Sequence, residues 1–254
     1  MKLSPLQPAE ARKRLKRTVT LETACLIAAA VFVLALNGPF WRKMLAAVSP
    51  SAASDWLFLG ATGLLLFALF YLAFTVLGTR HTFKPLLIVL LPLTAAAGYF
   101  MGTYGVVIDK HMVQNTFETN TSEALDLLNA SFLTHLALFG ILPAALFAAL
   151  PIAYRPFWSE VRRKALLSVP VTAVAAALLW SFLMDFTSLF REHEDLKLTL
   201  TPSNYITATS AYLKGLGPQR AIAVRPFGED AHIVHPANAA ATPPAVTVLV
   251  IGET

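Results

Sequence analysis

Cysteine is nearly missing from this sequence. Among 254 residues there is one, Cys25, so no disulfide can form within the chain. Charge is scarce too: 14% of residues are Asp, Glu, Lys or Arg, where a soluble globular domain holds about a quarter. No GxGxxG, Walker loop or GxSxG occurs, and there is no internal repeat. Glycine-cradled nucleotide sites, nucleophile-elbow hydrolases and solenoids therefore have no support. What fills the space is apolar, 56% of the chain. It is gathered in blocks, which is the signature of an integral membrane protein.

Five blocks approach the roughly 20 residues that cross a bilayer: about 19–40, 56–78, 85–104, 131–154 and 165–186. Trp41, Trp56, Tyr104, Tyr154 and Trp158 sit near block ends, as interfacial aromatics do. Pro143 and Pro170 lie inside blocks, where neighbouring helices can re-satisfy the backbone. The first block follows a basic stretch, a pattern shared with signal peptides. It is long for an h-region, and Leu34-Ala35-Leu36-Asn37 makes a poor cleavage site. An uncleaved helix is expected.

The net charge of +5 raises the question of nucleic acid. Its distribution answers it. The leading segment, loop 79–84 and loop 155–164 hold twelve Lys and Arg, against three in 41–55 and 105–130. The alternation predicts a cytoplasmic N-terminus and an outer, periplasmic position for everything after Phe186, in a bacterial inner membrane. No nucleic-acid partner is expected.

Residues 1–190 thus read as a five-helix transmembrane domain and 191–244 as a periplasmic linker rich, toward its end, in Gly, Pro and Ala. A helix is expected near Tyr205–Leu213, after the Thr201-Pro202-Ser203-Asn204 turn. The final stretch, AVTVLVIGET, is different. Val246, Val248, Leu249, Val250 and Ile251 read as a strand buried on both faces of a parallel sheet. Such a strand cannot stand alone. Residues 245–254 are expected to be the first strand of a truncated α/β domain. Glu253 would lie at the carboxyl edge, where ligands bind in open sheets.

Several residues could carry chemistry. Loop 105–130 can be helical, and Asn115, Thr119 and Glu123 fall at i, i+4 and i+8, on one face of such a helix. An amide, a hydroxyl and a carboxylate together could hold a cationic amine and hydrogen-bond a phosphate. The same residues also suit a solvated interface, and Asn120–Glu123 can form a capping box. Glu253 is a candidate metal ligand or an ordinary surface residue. Thr254 has no base near it. His232 and His235, with Asp230 nearby, sit in linker sequence without the geometry of a closed site. His135, near the outer end of the fourth block, is an intramembrane ionisable group; it could function or simply hydrogen-bond across the bundle. Asp185 can reach the interface and needs no further role.

The five spans, the outer stretch YGVVIDKHMVQNTFETNTSEALDLLN (104–129), the TPSNY turn (201–205) and the terminal VTVLVIGET together resemble the bacterial lipid A phosphoethanolamine transferases, the group that includes the polymyxin-resistance enzymes. The resemblance implies an alkaline-phosphatase/sulfatase-like catalytic domain. In it a zinc-dependent threonine takes phosphoethanolamine from phosphatidylethanolamine and passes it to lipid A or lipopolysaccharide core. It puts a zinc ligand on Glu253 and head-group contacts on Asn115, Thr119 and Glu123. The nucleophile would lie in a later Cys-Gly-Thr-Ser-like motif that does not occur in these residues, so these 254 residues by themselves are expected to be inactive. A non-catalytic five-span scaffold or transporter subunit is the alternative; it leaves the closing strand sequence unexplained.

Overall fold

The computed structural model describes residues 18–119 and 127–216. Residues 245–254, where a terminal strand was expected, with Glu253 and Thr254, and Asp230, His232, His235 and Glu123, lie outside the described residues.

The fold is helical. A two-residue strand β1 (Val19–Thr20) leads into α1 (Leu21–Leu36), followed by α2 (Gly38–Val48), α3 (Ala53–Leu77) and α4 (Phe83–Tyr104). Next come α5 (Lys110–Glu118), α6 (Ala130–Ala149), β2 (Ile152–Ala153) and α7 (Phe157–Ser181). After α7 lie α8 (Leu183–Glu192), a 3-10 turn at Glu194–Thr199 and α9 (Ser203–Gly215). Four helices, α3, α4, α6 and α7, are each long and apolar enough to span a membrane, and α1 with α2, bent by 61° at their junction, meets the same length and composition only when the two are taken together. β1 pairs in parallel with β2, Val19 against Ile152.

The element ends follow local chemistry. Helix α6 ends at Ala149 rather than near Tyr154 because Pro151 disfavours helical geometry in the residue before it. Helix α7 starts at Phe157, eight residues before the expected 165, because Pro156 pre-sets its entry and Glu160 suits its first turn. Arg162, Arg163 and Lys164 are therefore helical, not loop. Residues 194–215, placed by composition in the linker, are largely helical and pack on the bundle through buried Leu196, Thr201, Asn204 and Ala208.

Two aromatic cores hold the bundle. Phe32 of α1 meets Phe70 and Phe74 of α3 with centroids 5.5 and 5.1 Å apart. Phe83, Leu87 and Leu91 of α4 and Phe147 of α6 join them. The second core gathers Phe40 and Met44 of α2, Phe58 and Leu66 of α3, Phe186 of α8 and Leu196. At α7, in contrast, Ala175 alone is buried, and Trp180 is 81% exposed. Leucine and tryptophan so exposed on a long helix suit lipid as the solvent.

The basic end of the bundle is stitched by the same Lys and Arg that dominate the loop count. Glu22, in the first turn of α1, accepts from Arg155 at 2.7 Å and Arg163 at 2.5 Å. Lys84 donates to the Ala148 carbonyl at 2.7 Å, and Lys164 donates to the Gly78 carbonyl. The last two bonds satisfy carbonyls freed at helix C-termini, where a cation is also favoured by the helix dipole.

Candidate functional site

At the opposite end, the break between α1 and α2 creates a problem that defines the site. The last turn of α1 is widened into a π-helical segment, Val31–Leu36, and stops at Asn37. Carbonyls left over at such an end must find donors, most of all inside a bilayer. Asn37 Nδ2 donates to the Phe32 carbonyl at 2.9 Å and Trp41 Nε1 to the Val33 carbonyl at 2.7 Å. Asn37 then turns outward to a distant segment. Its Nδ2 donates to the Thr201 carbonyl at 2.9 Å, and its Oδ1 accepts from Thr201 N at 2.9 Å and Thr201 Oγ1 at 3.1 Å. Both side chains are fully buried.

This clamp sets the TPSNY turn on the bundle and aims α9. Asn204 Nδ2 donates to the Leu198 carbonyl at 3.0 Å, and the Tyr205 hydroxyl pairs with Thr94 Oγ1 of α4 at 3.0 Å. Burial pushes the Tyr205 hydroxyl up to about 12, against the smaller opposing effect of the Thr94 hydrogen bond. At neutral pH it is a neutral hydrogen-bonding post, not a base.

Helix α9 in turn carries α5. Phe117 and Tyr212 stack with centroids 5.4 Å apart and planes 8° from parallel. Asp109 caps α5, accepting from Met112 N at 2.8 Å, and Gln114 Nε2 bonds Glu118 Oε1 at 2.9 Å one turn on. The helix stops at Glu118. Thr119 leaves helical geometry at ψ 132°, so the single continuous face expected for Asn115, Thr119 and Glu123 is interrupted there. Threonine bonds readily to the backbone one turn back and holds helices poorly. Thr119 N and Oγ1 both donate to the Asn115 carbonyl, at 2.8 and 2.6 Å. The last helical N–H bond and the hydroxyl bond thus both tie Thr119 to the Asn115 carbonyl where the helix ends. Asn115 is exposed, and its amide forms no hydrogen bond with another described residue.

Beside this platform lies a cavity of about 270 Å³, between Gly38, Pro39 and Arg42 at the start of α2, Thr94 and Tyr99 of α4, and His135 of α6. His135 packs between the rings of Tyr99 and Phe139, with centroids 5.5 and 4.7 Å away. Tyr99 Oη donates to Asn129 Oδ1 at 3.2 Å, and the same oxygen caps α6 through Phe132 N at 2.8 Å. The Arg42 guanidinium lies close over Gly102, where a Cβ would come within 2.7 Å of Nη2. Asn37, Arg42 and Tyr99 were not singled out from sequence as site residues, and Thr201 was read only as part of the TPSNY turn. Asn37 carried a signal of its own, as an amide at the end of an apolar block. Asp185, at the start of α8, stands at the edge of a separate surface hollow with Asp55 and Glu192.

No group of three or more His, Cys, Asp and Glu is placed to hold a metal among the described residues. The donor set needed for zinc is not met by them.

The architecture is that of a multi-span helical membrane protein with a polar helix docked at one end of the bundle. The family described as phosphoethanolamine transferase EptA/EptB matches residues 66–216, and the chain belongs to this family. It is 31% identical over 250 residues to phosphoethanolamine transferase EptA of Escherichia coli strain K12, covering 96% of this chain and 44% of that protein. It is 32% identical over 180 residues to phosphatidylethanolamine transferase Mcr-1 of Escherichia coli, covering 69% of this chain and 32% of that protein. The integral membrane lipooligosaccharide phosphoethanolamine transferase A (EptA) of Neisseria meningitidis shares the fold at a TM-score of 0.74. The match has 22% identity and covers 78% of this chain and 37% of that one. The chain thus spans less than half the length of these relatives and corresponds to their N-terminal membrane region.

Proposed function

We propose that this chain is the lipid-donor-binding membrane part of an enzyme that moves phosphoethanolamine from phosphatidylethanolamine to lipid A or lipopolysaccharide core. Asn115 and Thr119, with Glu123 in the following segment, receive the donor's head group: the carboxylate faces the ammonium, and the amide and hydroxyl face the phosphate. The observation that supports this reading is that Asn115, on the last turn of α5, and Thr119, its C-cap, lie at the exposed end of a helix that the Phe117–Tyr212 stack holds against α9. A donor that stays in the bilayer has to be read at that surface.

The basic end is the cytoplasmic one on this reading, and α5 and α9 face the periplasm of a bacterial inner membrane. The residues up to Pro244 then lead to a catalytic domain whose first strand is 245–254, with Glu253 as a zinc ligand. When bound, zinc supplies positive charge against the transferring phosphoryl group. The role of the residues in this chain is to bind and orient the donor.

The test uses the full-length enzyme. Asn115→Ala, Thr119→Ala and Glu123→Ala are made singly and together, and phosphoethanolamine on lipid A is measured by mass spectrometry. Each loss of a charged or polar contact should lower transfer by about tenfold. Undiminished transfer in the triple variant would reject the donor site. Glu253→Ala should lower bound zinc by metal analysis, whatever the activity.

A further inference from the structure

The basic end of the bundle contains a second, larger cavity, about 800 Å³, between the end of α3 and the start of α7. That volume is in the range of small-molecule and cofactor sites. It has a built interior rather than a smooth apolar one. Tyr154 Oη and Glu160 Oε1 are buried there without a hydrogen-bond partner among the described residues. The Thr75 hydroxyl, beside Cys25 and Tyr71 and 2% exposed, makes no hydrogen bond of good geometry either. These three atoms are all the orphaned buried side-chain groups found among the described residues, and all three line this one cavity. A buried polar atom left unpaired costs about 1–3 kcal/mol, so three converging on one space point to an occupant.

The charges say what kind. Arg80, Arg155 and Lys164 line the cavity against Glu160. Arg155 is engaged by Glu22 and Lys164 by the Gly78 carbonyl. Arg80 makes no hydrogen bond or ion pair with another described residue and is the free cation. A positive surplus with an unpaired carboxylate oxygen suits a phosphodiester whose far end carries N–H or O–H donors. It disfavours a basic peptide. Val76, Phe157 and Val161, also in the lining, are 72, 71 and 43% exposed. They belong to two spanning helices, so the walls beyond the polar floor are where acyl chains run.

We propose that this cavity is a second lipid site. It holds a phospholipid of the leaflet at the basic end, with the phosphodiester on Arg80 and a hydrogen-bond-donating head group reaching Glu160 and Tyr154. It lies at the end of the bundle opposite Asn115 and does not depend on the donor reading.

The full chain, purified in detergent, is tested by thermal unfolding and by native mass spectrometry with added lipid. Phosphatidylethanolamine and phosphatidylglycerol, which end in N–H or O–H donors, should raise Tm and remain bound. Phosphatidylcholine, whose head group has no such donor, should bind about tenfold more weakly. Soluble glycerophosphoethanolamine should give no shift. Arg80→Ala and Glu160→Ala should each weaken retention of phosphatidylglycerol, which is not the proposed donor, about tenfold, whereas the surface change Ser54→Ala should leave it unchanged. Equal stabilisation by phosphatidylcholine overturns the head-group assignment. An equal shift from the soluble diester overturns the lipid, and undiminished retention in Arg80→Ala overturns the site. The lipid comparison on the unaltered chain decides the matter even where a variant fails to fold.

Discussion

Asn37 and Thr201 stand 164 positions apart and are joined by three hydrogen bonds of 2.9, 2.9 and 3.1 Å, with both side chains buried. One amide thereby completes the broken end of α1 and anchors the turn that aims α9. Whatever α5 binds is positioned, at one remove, by this pair.

Asn37→Ala should be among the most damaging single changes in the membrane domain. It leaves the carbonyls of Phe32 and Thr201 and the Thr201 N–H without Asn37 in a buried setting. At about 1–3 kcal/mol for each unsatisfied group, partly offset by relaxation, a loss of roughly 3 kcal/mol is expected. Thermal unfolding in detergent, against a surface control such as Ser54→Ala, measures it.

Gly140 lies where α6 crosses α4. A Cβ there would come within 2.9 Å of Pro92 Cα and 3.2 Å of Ala95 Cβ. Backbone on the far side cannot step away as a flexible side chain would. Gly140→Ala should destabilise by about 1–3 kcal/mol through overpacking, despite the better helix propensity of alanine. Unfolding midpoints give the sign directly.

Phe117→Ala should separate α5 from α9 without unfolding the bundle, because Phe117 is 68% exposed and its stacking partner is Tyr212. The stack is worth roughly 0.5–1.5 kcal/mol beyond area. In the full-length enzyme the expected result is a raised KM for the lipid donor with an unchanged Tm. Phe117→Trp should retain the stack and the KM.

Lys43 and Asp195 form an ion pair at the surface, with side chains 40 and 55% exposed. The hydrogen bond from Lys43, followed by its charge, holds the Asp195 carboxyl below its ordinary range. A carboxylate depressed in the folded state stabilises above its unfolded value, and that contribution is lost as pH falls through the folded one. Lys43→Ala should therefore lower stability by no more than about 0.5 kcal/mol at neutral pH and low salt. The difference should diminish as pH falls below the ordinary aspartate value of about 3.9 and shrink in high salt. Unfolding curves of both proteins across pH 2–7 check the direction.

Much of this architecture was legible in the sequence, because crossing a bilayer is a local requirement. A run of apolar residues either matches the hydrocarbon thickness or does not, so the spans built on α3 and α4 fall within about three residues of expectation. The polar character of Lys110–Thr119 against its apolar flanks likewise marked α5 without tertiary information. The helix end at Glu118 was not legible, since it depends on Thr119 bonding back to Asn115 in preference to continuing the helix. Nor was the early start of α7, where Lys164 and Arg163 read as loop charges but serve as partners for Gly78 and Glu22.

Hydropathy and charge therefore determined by themselves that this is a multi-span membrane protein, where its main spans lie, and which end is basic. They also marked the polar stretch that contains α5. Only the tertiary structure decided that Asn37 belongs with Thr201, that α9 carries α5, and that three unpaired groups share one cavity at the basic end. The reason is physical. Burial in lipid is set residue by residue along the chain, whereas a buried hydrogen bond requires a partner whose position is fixed only when distant helices have packed.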